Sequence, residues 1–421
     1  MQIARAPWWQ RLNQLPRLWR GFDGWLLGFA MALLGTGVLA IFSTRPDGGE
    51  WKSQLLTGIL GAVTAFLLSR FQYSSILRWQ WIIYGVVCTM LTVVLFTGNS
   101  IKGSQRWIEL GFMQFQPSEF SKLGIIIVLA AFIHNNPIQS VKQMWVVLGV
   151  LAVPFLLVFK QPDLGTALVF GAICLGMLYW GGARLSWLVL LVSPLVAAIL
   201  FALWIPAWIC WVVAMGYLAY RAFERNWFAP LSVLILNLIS GGLGQGLWHI
   251  LKPYQQQRLV VFLDPSNDPL GSGYHIIQSE IAIGAGGVLG RGFFQGTQTQ
   301  LNFIPEQHTD FIFSALGEEW GFFGALILLG LFFCLLYRLL VIARNAPDDF
   351  GSLLAVGVFT MLLFQTVVNI GMTIGLAPVT GIPLPFITFG RSFLITCFFA
   401  LGLVESVAAH SSKLVFPNSN G

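Results

Sequence analysis

Charged side chains are scarce in this chain: they make up 10% of its 421 residues, against roughly a quarter in an ordinary soluble domain. That scarcity excludes a soluble globular protein of this length. The net charge of +6 is modest and reads as membrane orientation rather than nucleic-acid binding. Cysteine is sparse too. Cys88, Cys174, Cys210, Cys334 and Cys397 stand singly in apolar segments, which excludes a disulfide framework and a thiolate metal cluster. Familiar catalytic signatures are missing as well. There is no H-E-x-x-H and no Ser-His-Asp pattern. The glycine-rich run 284–292 (GAGGVLGRG) follows no strand and fits neither G-x-G-x-x-G nor the P-loop, so it reads as flexible re-entrant backbone. The first 24 residues do not resemble a cleaved signal peptide. Arg5, Arg11, Arg17 and Arg20 among tryptophans read as a cytoplasmic arm at the membrane interface.

What is abundant is apolar length. Hydrophobic residues make up 56% of the chain, and runs of the roughly 17–25 residues that cross a bilayer recur almost to its end. About twelve spans are expected, at 25–42, 55–69, 80–97, 119–133, 144–159, 164–181, 186–203, 207–222, 230–250, 311–343, 352–376 and 384–410. The chain thus divides into a first bundle at 25–250, a loop at 251–310, C-terminal spans at 311–410 and a cytoplasmic tail at 411–421. The fold class is all-α and polytopic. Pro206 and the glycines Gly241, Gly242, Gly244 and Gly246 make 204–250 the softest part of the count. Lys and Arg are retained on the cytoplasmic side. With the N-terminus inside, that side holds the arm arginines, Arg70, Arg78, Lys142, Arg184, Arg221, Arg225, Arg338, Arg344 and Lys413. The other side holds Arg45, Lys52, Lys102, Arg106, Lys160, Lys252, Arg258 and Arg291. Both termini are expected inside.

Two outer loops stand out. Residues 98–118 are too polar to span but carry enough Trp, Ile and Phe to lie along the interface. Residues 251–310 concentrate Asp264, Asp268, Glu280, Glu306, Asp310, Lys252, Arg258, Arg291, His275 and His308, and a charged loop in so apolar a chain points to function. Within spans, ionisable groups are costly and need a reason. Glu119 and Lys122 share a helix face that starts at Pro117 with Ser118 as the expected N-cap. Two readings stay open: an intrahelical ion pair, or a cation held by a carboxylate to meet an anionic ligand. The turn residues of 161–166 (QPDLGT) read as helix-cap chemistry. Glu318 and Glu319 are expected to face the protein interior. Neither Asp-Pro pair at 264–269 nor the run 305–311 has a strong metal-ligand signature, so no resident metal site is expected.

Six strings occur in an order that carries further information: GSQRWIELG, QPSEFSKLG, KQPDLGTAL, DPLGSGYHIIQSEIAIGAGG, GTQTQLNFIPEQHTDFIFSALGEEWG and GLAPVTGIPLPFITFG. Along nearly its whole length the chain resembles the SEDS family (shape, elongation, division and sporulation proteins). YHIIQSEIAIGAGG and GTQTQLNFIPEQHTDFIF resemble the elongation branch more than the division branch. The resemblance implies a peptidoglycan glycosyltransferase that polymerises lipid II at the outer face of the cytoplasmic membrane. Its implied partners are a class B penicillin-binding protein and other membrane proteins of the elongation machinery. The family's catalytic aspartate falls on Asp268, with neighbouring Asp264 second in rank. Arg106, Glu119 and Lys122 correspond to the family's motif positions around the substrate cavity; Arg106, Lys122, Arg258 and Arg291 are the cations expected at the leaving pyrophosphate, and Gln278, Ser279, Glu306 and His308 are further expected substrate contacts. The only cofactor the resemblance admits is a divalent cation, magnesium or manganese, at the lipid pyrophosphate.

Two departures and two alternatives accompany it. The family usually has about ten spans, and 204–250 adds a pair, which preserves the side of the Asp268 loop. Arg391 stands where the family ending carries a small residue. A lipid II flippase would use similar intramembrane polar groups, and an inactive scaffold would need none of the chemistry. The discriminating feature is Asp268, which only the polymerase requires.

Overall fold

A computed structural model of the chain describes residues 22–97, 99–101, 104–109, 114–223, 228–250, 253–264, 268, 272–301, 303 and 307–411. The arm arginines, Glu306, Lys413 and the side chain of Arg106 lie outside the described residues. In chain order the elements are α1 (Gly24–Thr44), α2 (Glu50–Leu68), a 3₁₀ turn (Tyr73–Trp79), α3 (Gln80–Thr97), β1 (Asn99–Ile101), β2 (Ser104–Glu109), β3 (Gln114–Phe115) and α4 (Pro117–Asn135). There follow α5 (Val141–Lys160), α6 (Leu164–Trp180), α7 (Leu185–Leu203), α8 (Ile205–Ala222) and α9 (Phe228–Ile250). The long loop carries α10 (Pro253–Leu263), α11 (Ser272–Gly286) and α12 (Thr297–Gln300), and α13 (Ile312–Arg344), α14 (Asp349–Thr373) and α15 (Arg391–Ser411) close the fold.

Each of the twelve expected spans falls on a helix. Ten helices among the described residues are long and apolar enough to cross a membrane, while Leu164–Trp180 and Pro230–Gly242 are shorter apolar stretches. Contacts settle the course of the short α6. At one end Trp180 Nε1 donates to Ser352 Oγ (2.8 Å), near the start of α14. At the other, a Cβ added to Gly165 would stand 3.1 Å from the carbonyl of Thr380, beyond the end of α14. The helix therefore packs antiparallel along α14. α9 runs alongside α7, since Asn237 Nδ2 donates to Ser193 Oγ (3.1 Å) and Gly241 lies against Phe201. Together with α8 these helices form a three-helix unit with a small core of its own around Leu190, Met215 and Ala219.

In lipid, helices associate through close packing and hydrogen bonds rather than through water exclusion. α4 and α15 are the most enclosed spans. Small residues let the backbones meet: a Cβ on Gly402 would lie 2.8 Å from Ala65 Cα, and one on Gly357 would lie 2.6 Å from Ile126. The described part of 98–118 is an antiparallel three-stranded sheet in the order β1-β2-β3, an arrangement that the interfacial reading of this segment did not include.

Two differences from expectation bear on the site. The last span begins at Arg391, not at 384, because Pro378, Pro383 and Pro385 keep the preceding segment from coiling. That segment instead dips into the bundle with Ile382, Leu384, Phe386 and Ile387 buried. Irregular backbone survives at such depth only if its polar groups find protein partners. They do: Asn369 Nδ2 donates to Ile382 O (2.8 Å), Gln54 Nε2 to Thr388 O (3.1 Å), and Leu384 N to Thr388 Oγ1 (2.9 Å). The second difference is the cap of α4. Pro117 takes the first helical position, where its missing N–H costs nothing, so Gln116 is the N-cap and Ser118 lies inside the helix.

α13 is two helices joined at Gly321, whose φ of 66° and ψ of −164° only glycine adopts readily. The break frees carbonyls and amides that pair with the glycine-rich run. Arg291 N and Gly292 N donate to Glu318 O and Glu319 O (both 3.0 Å), and Phe322 N donates to Gly287 O (2.9 Å). Gly290 permits the approach, since a Cβ there would come within 2.2 Å of Glu319 O. The run expected as flexible re-entrant backbone is thus a fixed seam between α11 and α13.

Candidate active site

The helix ends that share a side with the long loop gather the polar groups. At the start of α4, Lys122 Nζ lies 2.6 Å from Glu119 Oε2, with side-chain exposures of 2% and 5%. The pair is therefore an intrahelical ion pair, but sealed in the bundle rather than at the surface. Glu119 in the first helical turn also meets the favourable end of the helix dipole. The ammonium sits 5.3 Å from the centre of the Phe393 ring, which brings α15 to the same place. Beside it, Ser118 Oγ donates to Asp163 Oδ2 (3.4 Å), and Asp163 caps α6 by accepting from Thr166 N (3.1 Å) and Thr166 Oγ1 (2.9 Å). The capping reading of 161–166 holds, and it adds a buried carboxylate to the floor of the site.

α10 lies across this floor. Tyr254 Oη donates to Pro162 O (2.9 Å), and Gln255 Nε2 reaches the same oxygen at 3.5 Å. One turn on, the Arg258 guanidinium stands 5.7 Å from the Tyr254 ring centre. A Cβ placed on Gly381 would be 3.9 Å from Arg258 Nη1 and 3.5 Å from Asp310 Oδ2, so a cation and a carboxylate flank the re-entrant segment together. Asp310 is fixed through its backbone, whose oxygen accepts from Asn369 Nδ2 (3.0 Å).

Asp268 is half-buried between α10 and α11. Its Oδ2 accepts from Gln257 Nε2 at 2.6 Å, and its backbone oxygen accepts from Gly273 N at 3.0 Å. Asp264 is exposed just past the end of α10. His308 is half-buried, its ring 6.2 Å from that of Phe389 and its carbonyl bonded to Phe389 N (3.2 Å). Gln278 is half-buried on α11. Ser279 faces the interior, donating to Thr373 O (2.6 Å) and lying 2.5 Å from Ser314 Oγ. It joins α11 to α13 and α14. Arg291 donates to Ala285 O and Thr297 Oγ1 (both 3.1 Å) and so braces the glycine-rich seam. Arg391 is exposed at the first position of α15, next to Ser392, whose hydroxyl donates to Gln114 O (2.9 Å). Among the described residues no three His, Cys, Asp or Glu side chains converge into a metal site.

Glu318 and Glu319 do face the interior. Glu318 accepts from Gln298 N, Thr299 N (both 2.9 Å) and Thr299 Oγ1 (2.7 Å), and Glu319 accepts from Ser43 Oγ of α1. They pin the strap that leads to His308 and Asp310. Gln257 and Asp163 were absent from the expected site. Gln257 is one of three consecutive glutamines with no distinguishing spacing, whereas Asp163 carried a cap signature that only the fold connects to Glu119.

The fold and site define a class: a multi-pass membrane protein that collects a carboxylate, an arginine and a buried ion pair where its spans meet a folded polar loop. The chain belongs to the cell cycle protein family of FtsW, RodA and SpoVE, whose family model matches residues 24–413. It is 36% identical over 395 residues to the peptidoglycan glycosyltransferase MrdB of Escherichia coli K12, covering 93% of this chain and 95% of that one. Similarity to the peptidoglycan glycosyltransferase RodA of Treponema pallidum is 34% identity, with 92% and 98% covered. Among solved structures, a peptidoglycan synthase complex that coordinates polymerization and crosslinking superposes with a TM-score of 0.71 at 31% identity, covering 93% of this chain and 98% of that one. The rod shape-determining protein RodA of Thermus thermophilus gives 0.61 at 27% identity, covering 92% and 96%.

Proposed function

We propose that this chain polymerises lipid II into glycan strands at the outer face of the cytoplasmic membrane during cell elongation, beside a class B penicillin-binding protein that crosslinks them. The chain is a peptidoglycan glycosyltransferase, and the observation that carries the mechanism is Asp268. Its carboxylate is held by a 2.6 Å hydrogen bond from α10, the helix that also lays Arg258 over the polar floor. In the proposed step Asp268 takes the proton from the attacking sugar hydroxyl as that oxygen bonds to the anomeric carbon. The bond from that carbon to the pyrophosphate oxygen breaks, the pyrophosphate leaves on its lipid with the electron pair, and the anomeric centre inverts. One carboxylate suffices because pyrophosphate leaves without protonation, unlike the sugar alcohol of glycoside hydrolysis, which calls for two.

The substrate's build suits the architecture. A polyprenyl tail stays in the bilayer while the pyrophosphate lies at its surface, where Arg258 and Arg106 supply positive charge, the Lys122 ammonium being paired with Glu119. A magnesium or manganese ion, if carried on the pyrophosphate, would take oxygen ligands from it and from Asp268 and would spread the leaving group's charge. A flippase would require cavity charge open to both sides in turn. The buried charges Glu119 and Lys122 are instead paired and enclosed.

The test is to incubate the purified chain and its cognate transpeptidase, the latter blocked with a β-lactam, with fluorescent lipid II. Glycan polymer is expected. Lipid II recovered intact from a verified complex would sink the polymerase reading. The elongation role would fail if the protein gathered at the division septum and its loss blocked septation alone.

A further inference from the structure

We propose that one ordered water joins Gln365 to Asn369 on α14, and that through it Gln365 positions the two segments carrying Asp310 and Gly381. Both side chains are fully enclosed. They stand one turn apart on the same face of the helix, with Cβ atoms roughly 5–6 Å from each other. Asn369 has both amide hydrogens engaged, since Nδ2 donates to Asp310 O (3.0 Å) and to Ile382 O (2.8 Å). Its Oδ1 has no protein partner, and neither Nε2 nor Oε1 of Gln365 has one. Among the described residues Gln365 is the one buried side-chain amide with both ends unmatched.

Unpaired amide groups are costly in a membrane interior, where no bulk water reaches them. Gln365 lies eight residues before the end of α14, about 12 Å below Thr373. The unmatched atoms are one donor and two acceptors, and they define the ligand by its chemistry. It must accept from Nε2 and donate to an oxygen. A metal cation accepts nothing from Nε2, and a simple anion donates nothing to Oδ1. Water does both, and a buried water makes about two to four such bonds. The consequence reaches the site. Asp310 and Gly381 lie together beside Arg258, and Asn369 ties the backbones that carry them. A water on Oδ1 holds the amide plane so that both hydrogens stay on their carbonyls. Gln365 acts through Asn369 and is a positioning residue. Its effect on turnover rests on the polymerase reading, whereas the water itself does not.

The experiment uses the complex with the cognate transpeptidase in lipid nanodiscs, wild type against Gln365→Met, which keeps the side chain's length and removes its polar atoms. A cryo-EM map that resolves ordered water should show a peak within about 3.2 Å of Asn369 Oδ1 and of a Gln365 amide atom in the wild type. The thermal midpoint should fall by about 2 °C or more in Gln365→Met, because Asn369 Oδ1 is then left unpaired. Lipid II polymerisation by the variant should lose about three-fold or more in kcat, with KM within about two-fold. A glutamine merely tolerated in the core gives the opposite sign, since methionine in place of an unmatched amide is neutral or stabilising. A wild-type map without the peak, or an equal or higher midpoint in the variant, overturns the water. Wild-type kcat in the variant overturns the positioning role. Lipid II left intact by the wild type fails the polymerase reading instead, and the map and the midpoint then decide the water alone.

Discussion

Breaking the Glu119–Lys122 pair should destabilise the protein more than removing it. The two groups lie 2.6 Å apart with side-chain exposures of 2% and 5%, so neither salt nor water screens them appreciably. At an effective dielectric near 20, unit charges about 4 Å apart attract by about 4 kcal/mol. Desolvation offsets much of that gain, which makes the intact pair nearly neutral against an apolar replacement. Removing one partner is different, because the other stays buried and uncompensated at a cost of about 3–5 kcal/mol. Lys122→Met and Glu119→Gln should each lower the thermal midpoint of the purified protein in detergent, followed by fluorescence-detected size exclusion. The double variant should recover most of the loss, with a coupling in a double-mutant cycle of about 2 kcal/mol or more. Additive losses in the double variant would refute the reasoning, since the two charges would then not be each other's main partner.

Two further outcomes follow from the geometry. Gly321→Ala forces a side chain into a backbone region nearly reserved for glycine and against Gly290 N, 2.1 Å from the added carbon, so a loss of about 1–3 kcal/mol or more is expected; wild-type thermal stability would show that the seam with 287–292 is not fixed. Chelation with EDTA should slow polymerisation at least about ten-fold, with magnesium or manganese restoring it, because the Asp310 carboxylate stands beside Gly381 as Arg258 does and offsets part of the positive charge offered to the pyrophosphate; full activity in EDTA would remove the cation from the mechanism.

Much of the architecture could be read from apolar run length, because a bilayer leaves a helix no shorter way to cross. What escaped that reading was backbone that length does not encode. The apolar run continues through Gly321, so the break in α13 is invisible until Glu318 and Glu319 are seen bonded to another segment. The proline-rich approach to α15 is as apolar as a span, and only its prolines mark it as irregular. The sheet at 99–115 was hidden by glycine and polar residues that resemble a plain loop. In the site, the i,i+3 spacing of Glu119 and Lys122 announced their pairing. The join between Arg258, Asp310 and Gly381 depends on segments more than fifty residues apart in sequence, and no local pattern could have disclosed it. Gln257 is the clearest case, since its contact with Asp268 spans eleven positions.

The most direct test of the central claim is lipid II polymerisation by the complex with the cognate transpeptidase, wild type against Asp268→Ala. The account predicts glycan strands from the wild type and none from a variant that folds and assembles normally. Equal polymer from both would contradict it and move the chemistry away from Asp268.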